Sequence, residues 1–298
     1  MDAEVEPGVA PADPVVYFLS DYGTADEFVG VVHAVLHRWA PGVPVIDLSH
    51  QIPAFDVAAG SAMLVRAGPH LGAGVVLAVV DPGVATDRRA VALEVASGRP
   101  GWMVGPDNGL LVPLATSSGG VRTAVALDPA RLGRRLRPGT FDGRDLFAPA
   151  AAHLATGGAA GEIGAPIDPA TLVELPAVGT QGTALHGVGP PGPVVVSSVT
   201  WVDRFGNAQL SVGPTALAGI GLTVGGSALV TVEAGAAVSG RWVTAFGQLG
   251  DGELGVMEDA NGRMSLVLDR ASASDALGLR GPGDTVRIGG ATAGGNRT

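Results

Sequence analysis

The sequence predicts an α/β N-terminal domain with a mostly parallel sheet, followed by a smaller all-β C-terminal domain of barrel or sandwich type. Three observations lead there. Apolar strands alternate with amphipathic helices as far as about His153, the pattern of βαβ units. From Val194 onward, short β-like runs follow one another between turns. Between these halves, Gly187-Val188-Gly189-Pro190-Pro191-Gly192-Pro193 reads as a linker, because its prolines forbid helix and its glycines break strands. The expected domains are 15–189 and 194–290.

The elements follow in order. Val15 to Ser20 is a strand that ends at Asp21. Thr24 and Glu27 have the spacing of a capping box. The helix they should open carries Phe28, Val31, Val32, Val35 and Leu36 on one face and stops before Pro41-Gly42. Val43 to Leu48 is a second strand, carrying Asp47 and ending at Ser49-His50, and Val57 to Ala67 is a second helix. Val75 to Val80 is wholly apolar, as a strand buried on both faces must be. It runs directly into Asp81, and Arg88 follows seven residues later. Gly101 to Val104 leads into Gly105-Pro106-Asp107-Asn108-Gly109. Several strands thus deliver polar groups at their C-terminal ends, where open α/β sheets hold their ligands. Beyond the linker, the runs VVVSSVTWV, ALVTVEA, RWVTAF, GELGVME, MSLVLD and DTVRI supply the second domain.

Composition excludes several classes. At 298 residues with 46 % hydrophobic content, two cores are affordable. The 47 glycines are scattered without period. A net charge of −10 argues against a nucleic-acid binder. No apolar run reaches the ~18 residues of a membrane span, and the acidic N-terminus has no signal-peptide pattern; a cytoplasmic location is expected. Cysteine is absent, which removes thiol nucleophiles and zinc–thiolate sites. All 18 basic side chains are arginine, which removes Schiff-base chemistry and the P-loop lysine. His33 and His37 are four apart on the first helix, a metal-ligand spacing. No glutamate follows His33, so a solvated face and no metal are expected. Aspartates, arginines, aromatics and backbone remain, a set suited to a cationic, hydroxyl-bearing substrate.

Six blocks in order carry a family resemblance: FLSDYGTADEFVGVVHAV, IDLSHQIPAFDVAAG, VVDPGVATDRR, GPDNGLL, TFDGRDLFAPAAAHLA and VDRFGNAQLSV. They resemble the S-adenosyl-L-methionine (SAM) hydroxide adenosyltransferases, relatives of the fluorinase and chlorinase enzymes, over roughly residues 15 to 290. The resemblance implies a subunit of α/β and β-barrel domains, and a homotrimer. Each SAM would lie between the N-terminal domain of one subunit and the C-terminal domain of its neighbour, with no cofactor. The implied reaction is attack of water or hydroxide on the 5′ carbon of SAM, giving adenosine and methionine.

Asp81 and Arg88 match the family's water-activating pair. Its third member is a histidine in a T-F-H-G-R-D block, whereas this chain has Asp142 there. A competing reading makes Asp142 a turn residue before Gly143. In the halide-using branch a tyrosine stands where Asp81 does, and a carboxylate would repel a halide. For binding, the resemblance implies Asp21 on the ribose hydroxyls and Phe55 against the ribose, where relatives have tryptophan. It places Asp203 on the substrate ammonium, Phe205 and Asn207 toward the methionine end and adenine, and Phe246 with the backbone around Asn261 and Arg270 at the purine. Asp107-Asn108 would brace the loop carrying Asp81. Two other readings stay open: a non-catalytic SAM- or adenosine-binding protein, and a halide-using adenosyl transferase.

Overall fold

The computed structural model describes residues 14–132, 140–175, 187–189, 192–233 and 235–290. The chain forms two compact units, Met1–Pro176 and Ala177–Thr298. In the first, strand β1 (Val15–Ser20) is buried from Val16 onward. The sheet continues with β2 (Val45–Ser49), β3 (Gly74–Val79), β4 (Ala90–Val95), β5 (Trp102–Pro106), β6 (Val121–Leu127) and β7 (Gly164–Ile167). Their spatial order is β2-β1-β3-β5-β4-β6-β7. The pairs β2–β1, β1–β3 and β3–β5 are parallel, while β4 and β7 run against their neighbours. Five of the seven strands therefore point one way, and the sheet is mostly parallel.

Among the described residues, four helices of six or more residues accompany it: α1 (Phe28–Trp39), α2 (Val57–Ala67), α3 (Val112–Ser117) and α4 (Ala148–Ala155). Val32 and Leu36 of α1 join Val16, Phe18, Val75 and Leu77 of the sheet and the alanines of α4 in one core cluster. The small α4 residues let that helix lie close to the sheet; Ala148, Ala150, Ala151 and Ala152 are fully buried. Helix α2 begins at Asp56, whose Oδ1 accepts from the Ala59 amide at 2.9 Å.

The start of α1 differs from the expected capping box. Its N-cap is Glu27, with no side-chain capping hydrogen bond. The helix begins at Phe28, so Thr24 lies outside the reach of the first-turn amides. The Thr24 hydroxyl instead accepts from Gln51 Nε2 at 3.2 Å.

The described strands of the second unit form a closed barrel. Its strands are β8 (Gly187–Gly189), β9 (Gly192–Val202), β10 (Ala208–Leu210), β11 (Ser227–Val232), β12 (Val238–Val243), β13 (Leu254–Glu258), β14 (Met264–Val267) and β15 (Thr285–Gly290). The order β10-β14-β13-β12-β11-β15-β9 closes through a β9–β10 pairing, and β8 extends β9 as a hairpin. All pairs are antiparallel except β12–β13. Alternation fills the interior, with Val195, Ser197 and Val199 of β9 pointing in. The segment expected to be a linker thus contributes β8 and the start of β9, because backbone pairing from Val188 to Pro193 outweighs the weak strand propensity of glycine. Pro190 and Pro191 lie outside the described residues.

Candidate active site

Strand register brings the acidic groups together. β1 and β3 are paired in phase to their ends, with Ser20 opposite Val79. The Asp21 amide continues the ladder by donating to Val79 O at 3.3 Å. Asp21 and the Val80-Asp81 segment therefore emerge side by side at the C-terminal edge of the parallel strands.

After Asp81 the chain turns back on itself. The Asp81 Oδ1 accepts from the Gly83 amide at 3.2 Å, the Thr86 hydroxyl donates to Gly83 O at 2.6 Å, and the Arg88 amide donates to the Thr86 hydroxyl at 3.3 Å. This turn returns Arg88 to the carboxylate from which it started. Arg88 Nε donates to Asp81 Oδ1 at 3.1 Å while Nη2 donates to Asp81 Oδ2, a bidentate pair. Nη2 also donates to Asp142 Oδ2 at 2.9 Å. The side chains of Asp81, Arg88 and Asp142 are 6 %, 9 % and 19 % exposed, so the cluster is shielded but open on the Asp142 side. The guanidinium lies over the Phe147 ring, 5.3 Å from its centroid.

Asp142 precedes a π-helical turn, Gly143–Phe147, that leads into α4, and its side chain makes no capping hydrogen bond. The turn reading of Asp142 does not describe its contacts; its carboxylate is directed at Arg88. Two carboxylates therefore face one guanidinium. Burial holds the Asp81 carboxyl above the ordinary carboxylate range, Arg88 opposes that shift, and the Asp142 charge adds to it.

Tyr22 is the residue that sequence reasoning missed. Burial pushes its phenol above the ordinary range, and the charges of Asp21, Asp81 and Asp142 push the same way. Its ring packs edge-on against Phe141 and Phe18. Its hydroxyl occupies the space that a β-carbon on Gly143 would need. The FLSDYG motif pointed to Asp21 but held no signal that its neighbour would lie among three carboxylates from three loops.

Asp21 Oδ2 accepts from the Phe55 amide at 2.9 Å. Phe55 holds a left-handed backbone (φ 67°) and is 71 % exposed. A large apolar residue in that conformation is strained, a condition that clusters at functional sites. Asn108 Nδ2 donates to Val80 O at 2.8 Å, next to Asp81, whereas Asp107 Oδ2 accepts from Arg89 Nε at 2.8 Å.

In the barrel unit, Asp203 closes its own turn. Its Oδ1 accepts from the Phe205 and Asn207 amides, at 2.8 and 3.0 Å, and its Oδ2 accepts from Asn207 Nδ2 at 2.8 Å. Three acceptor positions of the carboxylate are thus engaged within the turn. The turn holds Phe205 outward, 70 % exposed. Gly206 O accepts from the Ser274 amide at 2.9 Å, tying this turn to the segment after Arg270. Arg270 is itself left-handed (φ 51°) and pairs with Asp269 at 2.9 Å. Phe246 and Asn261 follow the parallel strands β12 and β13, and the Asn261 amide donates to Asp259 Oδ1 at 2.8 Å. Among the described residues, no hydrogen bond or ion pair joins that pair to Phe205, Asn207 and Arg270.

Comparison with known families matches residues 16–164 to the SAM hydroxide adenosyltransferase N-terminal domain and residues 197–287 to the C-terminal domain. An (R)-S-adenosyl-L-methionine hydrolase from Salinispora tropica is 42 % identical over 276 residues, covering 92 % of this chain and 97 % of its own. A protein of the same name from Thermus thermophilus is 42 % identical over 277 residues, 89 % of this chain and 96 % of its own. A crystal structure of an uncharacterized conserved protein from Thermotoga maritima superposes with a TM-score of 0.79 at 28 % identity, covering 92 % of this chain and 100 % of the other.

Proposed function

The chain belongs to the SAM hydroxide adenosyltransferase family, and we propose that it hydrolyses SAM to adenosine and L-methionine. The observation that carries the mechanism is Asp81, a buried carboxylate gripped by Arg88 at the C-terminal end of β3. The water oxygen bonds to the 5′ carbon as the carbon–sulfur bond breaks. That bond's electron pair remains on sulfur, which leaves as the neutral thioether of methionine. The water proton passes to Asp81. A sulfonium leaves without protonation, so the catalytic demand is to place a water in line and take its proton.

Asp81 suits the base role because burial raises its proton affinity. Arg88 fixes the carboxylate's orientation through two donors and holds Asp142 with a further contact. Asp142 takes the place of the family histidine as the second acceptor beside the water. The three carboxylates Asp21, Asp81 and Asp142 share a surface that favours a sulfonium cation and disfavours a halide nucleophile. Asp21 accepts from the ribose hydroxyls while Phe55 covers the sugar. The barrel residues Asp203, Phe205, Asn207, Phe246, Asn261 and Arg270 hold methionine and adenine, supplied by a neighbouring copy in a homotrimer. In this reading SAM is the small-molecule partner, no cofactor takes part, and the setting is cytoplasmic.

The test is incubation with SAM followed by chromatography. Adenosine and methionine in equal amounts support the reading. Binding of SAM without either product would instead make this a non-catalytic binder, and a halogenated nucleoside in the presence of chloride would make it a halide-using enzyme.

A further inference from the structure

We propose that His33, Asp47 and His50 form a binding site for a divalent transition metal of the Zn²⁺ type. The three residues come from α1, from β2 and from the turn after β2. His33 Nε2 lies 2.9 Å from Asp47 Oδ1, and His50 Nε2 lies 3.0 Å from the same oxygen. All three donor atoms fall within 4.8 Å of one another.

A hydrogen-bond account leaves one atom unexplained. His33 makes a well-aligned bond to Asp47, but His50 Nε2 is buried with no hydrogen-bond partner despite its closeness to the carboxylate. His50 is only 6 % exposed, and a polar atom buried to that degree without a partner is left with its desolvation uncompensated. A metal ion satisfies all three donors together. Ligands at about 2.1 Å from one tetrahedral ion lie about 3.4 Å apart, so the two observed separations need open by only a few tenths of an ångström to admit it. Two imidazoles and one carboxylate suit Zn²⁺, Co²⁺ or Ni²⁺ and do not suit Ca²⁺ or Mg²⁺, which favour all-oxygen sites. His33 and Asp47 are partly exposed, so water can complete the coordination.

The surroundings supply the support that metal-bound histidines need. His50 Nδ1 lies 2.8 Å from the Ser20 hydroxyl oxygen, which also accepts from the Tyr22 amide at 3.3 Å. Donation from Nδ1 to Ser20 orients the ring and leaves Nε2 as the ligand atom. The Phe18 ring backs His50 at 4.5 Å between centroids. His50 O accepts from the Gly23 amide at 2.7 Å, so the metal site is joined directly to the loop bearing Asp21 and Tyr22. Ser20, His50 and Asp47 are also the residue types of a hydrolytic triad. Ser20 is fully buried, however, and no substrate reaches its hydroxyl. From the sequence, His33 and His37 are expected to lie on a solvated face without metal; the fold sets His33 beside Asp47 and His50 instead.

The test uses the full chain freed of metal with a chelator. Zn²⁺ titration by calorimetry should show one ion per chain at micromolar affinity or tighter, and Co²⁺ should give a visible absorption band. His33→Ala and Asp47→Ala should each weaken Zn²⁺ binding at least ~10-fold, since each removes one of three protein ligands. His37→Ala should bind as the wild type does. Zn²⁺ should raise the melting temperature of the wild type and of His37→Ala, and not that of His33→Ala. No Zn²⁺ binding by the wild type in the micromolar range would overturn the proposal, as would His33→Ala binding Zn²⁺ as tightly as the wild type.

Discussion

Arg88 Nη2 donates to Asp142 Oδ2 at 2.9 Å across 54 residues of sequence, while the same nitrogen holds Asp81. One guanidinium thus ties the turn after β3 to the π-helical turn before α4. Both carboxylates share a single cationic partner.

The first consequence concerns turnover. Asp81→Asn and Arg88→Ala should each lower adenosine formation at least ~10²-fold, the scale of a positioned acid–base group. SAM affinity should change far less, because neither residue anchors the ribose or the methionine in the proposed mechanism. Steady-state kinetics combined with calorimetric binding separates the two effects. Near-normal turnover in either variant would remove that residue from water activation.

Asp81 should also cost stability in the ionised state. Burial raises its folded-state pKa above the unfolded value, so the fold prefers the protonated form. The stability this contributes is fully present below the unfolded value near 3.8 and is lost as pH rises through the folded value. At pH 7 Asp81→Asn should therefore melt at or above the wild-type temperature although it is inactive, with Asp142 still pairing Arg88. The difference should vanish below about pH 4. A variant that melts well below the wild type at pH 7 would show that the Arg88 pairing outweighs desolvation.

Gly143 and Tyr22 should be coupled. A β-carbon at Gly143 would overlap the Tyr22 hydroxyl and crowd its ring. Gly143→Ala is expected to destabilise the protein by about 1–3 kcal/mol, the range for overpacking. Adding Tyr22→Phe should recover part of that loss, because the hydroxyl is the nearest obstacle. A double-mutant cycle from urea melts measures the coupling; strict additivity would place the strain elsewhere.

Most of the first unit was legible in the sequence because its signals are local. The apolar run of β3 and the acidic residue at its end state both burial and edge position. The pairing of Asp81 with Arg88 came from the family resemblance; the residues themselves state only a spacing of seven. What stayed hidden depends on contacts distant in sequence. Tyr22 acquires its environment from the Asp81 and Asp142 loops, and His33 and His50 both reach Asp47 only through the fold. The Thr24–Glu27 pair had the right spacing for a cap, but the chain bends there and the helix starts later. The hairpin from Gly187 to Pro193 formed despite its composition because β9 supplies a long partner edge.

Assembly is the next expectation. Phe55 and Phe205 are about 70 % exposed on their separate units, and aromatic surface of this kind marks ligand or subunit contacts. Light scattering should give the mass of three chains, and Phe205→Asp should weaken SAM binding more than it changes the melting temperature. A monomer that still binds SAM would refute the shared-site arrangement.

The last expectation is the role of Asp142. Its negative charge is one of the causes that raise the Asp81 pKa. Removing that charge should lower the pKa of Asp81, so the acid limb of the pH–rate profile should move to lower pH in Asp142→Ala. Activity rises with pH across this limb because Asp81 must be ionised to accept the proton of water. Asp142→Ala should also lose maximal turnover, having lost an acceptor beside the water. Asp142→His separates the two effects. A neutral imidazole accepts a hydrogen bond without adding a second negative charge, so it should keep or raise maximal turnover while shifting the limb as alanine does. Turnover measured from about pH 5 to 9, with Asp81→Asn as the inactive control, decides the matter. Superimposable profiles for the wild type and both Asp142 variants would reduce Asp142 to a tether for Arg88, with water activation left to Asp81 alone.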